Sequence, residues 1–151
     1  MNIRKSSQSI LGVTLLEIML VLAIASLIIV MSVRYYQSAN QNSQANTFVS
    51  QVGAITAALE NLTQGTGSYN SVTADQLQAL LPANTLTGTP WGGTASFQST
   101  DTGYKLTVTT AKGTAGSPMG GTGLCGLISA KLLQDSHYTF TCSVVTYTAN
   151  V

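Results

Sequence analysis

One stretch of the chain limits its possible folds more than any other, and it is the apolar run from Val13 to Val33. As a helix, this run of twenty-one residues spans roughly 31 Å, which is enough to cross the hydrocarbon core of a bilayer. The run therefore predicts a membrane-spanning helix near the N-terminus. Its polar residues are Thr14, Glu17, Ser26 and Ser32.

The charges that flank this segment predict its orientation. Arg4 and Lys5 precede it, and no acidic residue does. Because basic residues stay on the cytoplasmic side, we expect the N-terminus inside and the rest of the chain across the membrane. Arg34 follows the apolar run, where its aliphatic stem allows the charge to reach the far interface.

Glu17 is the unusual residue of the segment. A carboxylate at the centre of a membrane helix costs about 2.5 to 3.5 kcal/mol, and less near an end, so an acid there suggests a function. In one interpretation Glu17 lies close enough to the cytoplasmic side to stay hydrated. In the other it has a partner of opposite charge.

The residues around Glu17 favour the second interpretation. Gly12 is followed at once by Val-Thr-Leu-Leu-Glu and an uninterrupted apolar run, and this pattern closely resembles the processing site of type IV prepilins and related pseudopilins. The resemblance implies that a membrane peptidase cleaves between Gly12 and Val13 and methylates the new Val13 amine. Residues 1–12 would then be a leader, and their number together with Val13 favours the type IVb subclass.

The resemblance also implies an assembly mechanism. The Val13 ammonium of one subunit would pair with Glu17 of its neighbour, since a carboxylate buried in an apolar filament needs an opposite charge. The chain would then be a structural subunit that polymerises with its own copies into a helical filament. Its other partners would be the prepilin peptidase and methyltransferase, the pilus assembly machinery and, before assembly, the bacterial inner membrane. The assembled pilus is extracellular and serves adhesion, twitching motility, DNA uptake or conjugation.

Two alternatives remain open. One is a pseudopilin of type II secretion, which shares the first helix but forms a short periplasmic piston; the pair of cysteines and the absence of clustered acids weigh against it. The other is a periplasmic domain held by an uncleaved signal anchor. That second alternative predicts no processing at Gly12 and tolerance of Glu17→Ala.

The apolar pattern changes after residue 34 but stays helical. Phe48, Val52, Ile55, Leu59 and Leu62 recur at spacings of three and four, which places them on one face of a helix. Nothing between the two halves forces a break, so we expect one helix of about fifty residues. The predicted divisions are a membrane and filament-core segment at 13–34, an amphipathic segment at 35–63 and a head at 64–151.

The head predicts a small antiparallel sheet, so the fold class is α+β with the long helix packed on that sheet. Thr73 and Gln76 match a capping box that opens a helix over residues 74–81. Strands are expected at 95–100 and 104–111, joined by a hairpin loop in which Gly103 takes a positive φ. The expected later elements are a flexible loop at 112–123, a helix at 125–133, a third strand at 138–144 and a last strand or tail at 145–151.

Cys125 and Cys142 both lie on the exported side of the predicted membrane segment, where oxidation is expected. They resemble the pair that forms the C-terminal disulfide of pilins, which bounds a surface region. A bridge closing that loop would stabilise the fold by about 3 kcal/mol. The alternative is two free buried thiols.

Composition argues against several other functions. Charged residues make up 7% of the chain, and loss of the leader would leave no basic face for phosphates, so we expect no direct nucleic-acid binding. His137 is the single histidine and the acids are scattered, so the sequence suggests no metal site, no cofactor and no catalytic residue. We therefore interpret the chain as a structural protein and not as an enzyme.

Overall fold

A computed structural model of the chain describes residues 14–64, 68–109 and 122–149. The chain divides into two units, Met1–Ser38 and Ala39–Val151, and one helix contributes residues to both. This helix, α1, runs over Leu15–Thr63 and is 49 residues long. The prediction of a single helix of about fifty residues is confirmed.

The part of α1 that belongs to the first unit exposes its apolar side chains. Leu15 and Leu16 are 80% and 75% exposed, and the large apolar side chains that follow them as far as Val33 are also exposed. By length and composition this helix could cross a membrane, and the apolar stretch that meets that test has no buried residue. The chain alone therefore leaves this surface uncovered.

The part of α1 in the second unit is a core element of the head. Phe48, Val52, Ile55 and Leu59 are fully buried, as their spacing predicts, and Leu62 is half-buried. The spacing of three and four residues places all of them on the face that contacts the sheet. The amphipathic interpretation of this segment is confirmed.

The sheet of the head has four antiparallel strands in the order β1-β2-β4-β3. Along β2 the side chains alternate as expected, because Tyr104, Leu106 and Val108 are buried while Lys105 is exposed. The long helix packed on this small sheet gives an α+β fold, as predicted. The strands are β1 Ala95–Thr100, β2 Gly103–Val108, β3 Tyr138–Thr141 and β4 Val144–Thr148.

Three short helices complete the described part of the head. A 3-10 helix at Tyr69–Ser71 precedes α2, Ala74–Leu80, whose capping box is present as predicted: Thr73 and Gln76 satisfy each other's backbone N–H groups. Helix α3, Thr122–Leu132, begins three residues before the predicted Cys125. Its Leu124, Ile128 and Leu132 recur every fourth residue and are buried, which explains why the helix extends toward its N-terminus.

The prediction for Gly103 was wrong. This residue is the first of β2, where it pairs with Thr100, and the positive-φ residues in the described ranges are Asn84 and Gly92. Glycine is needed at position 103 for a different reason. A Cβ there would lie 2.0 Å from the carbonyl oxygen of Tyr147, on the neighbouring strand β4.

The prediction of one strand over residues 138–144 was also wrong. The chain turns at Cys142 and Ser143, so β3 ends at Thr141 and β4 begins at Val144. Alternation of apolar residues continues across a tight turn, and for that reason the sequence pattern hides it. After the turn the buried positions change parity, since Val145 is buried and Val144 only half-buried.

Some predictions fall on residues outside the described ranges. These are the leader, most of the loop at 112–123 and the last two residues of the predicted strand or tail at 145–151. Where the predicted loop overlaps the described residues it ends too late, because Thr122 and Gly123 belong to α3.

Candidate functional site

The predicted processing site lies outside the described residues. Gly12 and Val13 precede the first described residue, Thr14. Cleavage between them, methylation of Val13 and pairing of the Val13 amine with Glu17 all stay predictions. The described part of this region begins with the first turn of α1.

In that first turn Thr14 caps the helix beside Glu17. The Glu17 backbone N–H donates to the Thr14 carbonyl at 3.0 Å and lies 3.3 Å from the Thr14 hydroxyl. The Thr14 hydroxyl is a second acceptor for this N–H at the start of the helix, and an acid in the first turn interacts favourably with the helix dipole. The Thr-x-x-Glu spacing signals this cap in the sequence, and reasoning about the membrane alone missed it.

The other polar side chains of the apolar segment are satisfied within the helix. The Ser26 hydroxyl donates to the Ala23 carbonyl, and the Ser32 hydroxyl donates to the Ile28 carbonyl, both at 2.8 Å. A hydroxyl bonded in this way does not need water or a partner chain. Glu17 is the one charged side chain of residues 15–33, and it lies at the start of the apolar surface.

The two cysteines are joined in the head. Cys125 of α3 and Cys142 of the β3–β4 turn form a disulfide with their Cα atoms 5.4 Å apart, a usual separation for such a bond. Both residues are half-buried. The bond therefore connects helix α3 to the turn between two strands of the sheet.

A cluster of three hydroxyl groups lies between α1 and the sheet. The Thr56 hydroxyl is 3.0 Å from that of Tyr104 and 2.8 Å from that of Tyr138. The Val52 carbonyl accepts hydrogen bonds from the Thr56 and Tyr104 hydroxyls. Burial raises the pKa of Tyr104. It also raises the pKa of Tyr138, which is less buried. The sequence signal for Thr56 is its place four residues after Val52 on the buried face of α1.

An open cleft of about 420 Å³ lies at the C-terminal end of α1. The Tyr147 hydroxyl donates to Glu60 Oε1 there at 2.7 Å, and the rings of His137 and Tyr147 stack with centroids 6.1 Å apart. Burial and the neighbouring Glu60 carboxylate raise the pKa of Tyr147. The cleft is lined by Glu60, Thr63, Gln64, Tyr69, His137, Tyr147 and Ala149.

His137 has a partner outside the cleft as well. Its Nδ1 atom lies 2.8 Å from Asp135 Oδ1, and its backbone N–H donates to the same carboxylate oxygen at 3.0 Å. These two bonds, the backbone one first, lower the pKa of Asp135. The pair is exposed, so its interaction contributes little to stability.

Comparisons with known proteins return no match to a protein-family model, to a curated protein or to a solved structure. An assignment of function to this chain therefore depends on its own residues and their geometry.

Within the described ranges, no group of three or more His, Cys, Asp or Glu side chains is arranged to hold a metal ion. The features that stand out chemically are of another kind. They are an exposed apolar helix surface that begins at a capped acid, and a polar head held together by a disulfide and a hydroxyl cluster. The first is an apolar surface that the chain alone leaves uncovered, and the second stabilises the head.

Proposed function

We propose that the chain is the structural subunit of a type IV pilus-like filament. The observation that carries the proposal is the division of α1, which exposes an apolar surface over its first half and is buried in the head over its second half. A surface of this size needs a cover, either the lipid of a membrane or the same surface of other copies. A pilin uses both in turn.

The proposed assembly depends on Glu17. Cleavage after Gly12 frees the Val13 amine, which becomes the partner of Glu17 on a neighbouring subunit. In an apolar environment such a pair is held strongly, and removal of one member leaves the other charge unpaired. The pair then sets the axial register of the filament, whose core is residues 13–52.

The head supports the same proposal through its surface. It carries few charges, and its strands present threonine, serine and glutamine on the face opposite the core, as at Ser96, Gln98 and Thr146. A disulfide stabilises a small exported domain without a larger core. Such a head is suited to the outside of a filament.

Replacement of Glu17 tests the mechanism. We expect Glu17→Gln to insert into the membrane as the parent chain does but to form few or no fibres, because the amide cannot neutralise the Val13 ammonium. The measurement is the amount of chain in sheared fibres against the amount in the membrane fraction. Normal fibres from this variant would refute the mechanism.

Two matched variants separate the charge from the helix cap. Glu17→Asp keeps the charge, and we expect it to assemble in reduced amount. Thr14→Val removes the hydroxyl that caps Glu17 but keeps the carboxylate, and we expect fibres. If Thr14→Val abolished fibres as completely as Glu17→Gln, the role of Glu17 would be in the helix end rather than between subunits.

The intact mass of chain recovered from sheared filaments of the native cell tests processing directly. We expect a chain that begins with methylated Val13. Recovery of cell-bound protein alone, with residues 1–12 still present, would instead support an anchored periplasmic domain.

A further inference from the structure

The apolar surface of α1 ends at three consecutive residues with a chemistry of their own. Arg34 is followed by Tyr35 and Tyr36, whose side chains are 79% and 72% exposed. A tyrosine ring is apolar and its hydroxyl polar, so tyrosine concentrates where a bilayer meets water. An arginine beside it can contact lipid phosphate bidentately.

The distance from these residues to Glu17 matches the thickness of a bilayer. Tyr35 follows Glu17 by eighteen residues, which is five helical turns, so the two lie on the same face of α1 about 27 Å apart. The hydrocarbon core of a bilayer is about 30 Å thick. The side chains between them on that face are exposed and apolar: Val21, Ile24, Ile28 and Met31.

We propose that Arg34, Tyr35 and Tyr36 form an interfacial collar, which binds the phospholipid head-group region at the C-terminal end of the membrane segment and holds Glu17 at the opposite interface. This proposal rests on the membrane stage of the proposed function. It adds a lipid-binding site and a defined depth for the helix.

The direction of the side chains supports this placement. In an α-helix each Cα–Cβ bond tilts toward the N-terminus, so the Glu17 carboxylate extends toward the near interface and not toward the bilayer centre. Ser26 and Ser32, which lie deeper, have hydroxyls bonded to their own helix. With the collar in place, no described side chain of residues 15–33 leaves a polar group unsatisfied in lipid.

The depth has a consequence for assembly. A carboxylate at the interface keeps its hydration, so the energetic cost of Glu17 before it meets the amine of another subunit is small. Burial of the charge then occurs together with its pairing. A helix that slid deeper by one turn would bury the carboxylate before its partner arrived.

Depth-dependent quenching of tryptophan fluorescence tests the collar. The full chain, carrying Trp91→Phe, is placed in phosphatidylcholine vesicles whose acyl chains are brominated either near the carbonyls or near the chain ends. One variant adds Tyr35→Trp, and the matched control adds Ile24→Trp, on the same helix face and about 17 Å further along the axis. We expect shallow bromines to quench the probe at 35 about twofold more than deep ones, and the reverse at 24.

A second pair of variants tests whether the collar sets the depth. With the probe at position 24, we expect Tyr35→Leu with Tyr36→Leu to change the ratio of shallow to deep quenching. Val30→Leu with Met31→Leu, a change inside the apolar segment, should leave the ratio unaltered. An unaltered ratio in the Tyr35 and Tyr36 variant would overturn the collar's role.

The outcomes separate this proposal from the proposed function. Strong deep quenching at position 35 would overturn the collar but leave membrane insertion intact. Absence of quenching at both positions would overturn insertion itself. Because the Trp91 indole donates a hydrogen bond to the Thr109 carbonyl at 3.2 Å, a parallel set retains Trp91 and subtracts its signal, measured in the parent chain.

Discussion

Gly103 lies where strand β2 passes so close to β4 that no side chain fits. A Cβ at this position would meet the carbonyl oxygen and carbon of Tyr147 at 2.0 and 2.9 Å. Because backbone atoms cannot move aside as a flexible side chain does, we expect Gly103→Ala to lower the free energy of unfolding by about 2 kcal/mol. Urea denaturation of the full chain in detergent measures it.

Gly53 provides the control for that measurement. It lies within α1, and apart from the adjacent backbone of the helix nothing lies within 4 Å of a Cβ added there. We expect Gly53→Ala to raise the free energy of unfolding by about 0.5 to 1 kcal/mol, because alanine loses less conformational freedom in a helix. Equal effects at the two positions would show that the close approach to Tyr147 is not what requires glycine at 103.

Thr56 acts at the same scale, through one hydroxyl group. Thr56→Val would leave the buried Tyr104 hydroxyl and the half-buried Tyr138 hydroxyl without this shared partner. We expect a loss of about 1 to 3 kcal/mol in the free energy of unfolding, because the Tyr138 hydroxyl loses its bond to Thr56 while the Tyr104 hydroxyl keeps the Val52 carbonyl. The matched change Thr47→Val, on the exposed face of the same helix, should cost much less. A similar loss at both positions would contradict the stabilising role of the Thr56 hydroxyl.

At the scale of elements, the disulfide holds helix α3 to the β3–β4 turn. We expect its reduction to lower the free energy of unfolding by about 3 kcal/mol. Hydrogen exchange should increase first in α3 and less in the β1–β2 hairpin, which pairs along its whole length. The variant with Cys125→Ser and Cys142→Ser should not respond to reductant, and protection of α3 that survives reduction would show that the bond is dispensable there.

The elements themselves were predictable where local patterns determine them. The Phe48 to Leu62 spacing predicted the buried face of α1, and the Thr73 capping box predicted where α2 begins. The turn at Cys142 and Ser143 was not predictable in this way, because the alternation of apolar residues continues through it. That turn depends on the pairing of β4 with β2 and β3, which is a long-range interaction.

At the scale of the whole molecule, tyrosines that join the helix to the sheet make stability depend on pH. Burial raises the pKa of Tyr104 and Tyr138, and burial together with the Glu60 charge raises that of Tyr147. A tyrosine whose pKa is raised by folding stabilises the fold fully below the unfolded value of about 10. Above that pH the unfolded chain loses protons that the folded chain keeps, so stability falls.

We expect the free energy of unfolding to fall above about pH 10 by up to about 1.4 kcal/mol per pH unit for each such tyrosine. Tyr104→Phe removes the most buried of these groups, so its curve should fall less steeply than that of the parent chain. Urea denaturation at a series of pH values compares the two slopes. Identical slopes would contradict the role of Tyr104.

The candidate functional features divide in a similar way. The apolar segment, Glu17 and the cysteine pair are visible in the sequence because each depends on residue types at fixed spacing. The hydroxyl cluster around Thr56 and the Glu60–Tyr147 bond are not, because their members come from distant parts of the chain. Contacts of that kind exist only after the helix has packed on the sheet.

By itself, the sequence determined the continuous helix, its exposed apolar half and its amphipathic half with one buried face. It also determined the α+β class of the fold. Each follows from hydrophobic periodicity and, for the helix, from the absence of a helix-breaking residue between its two halves. The tertiary structure alone decided the strand order, the turn between β3 and β4 and the reason for glycine at position 103. These depend on which backbones approach each other across the sheet, and close approach is a property of packing that no local pattern records.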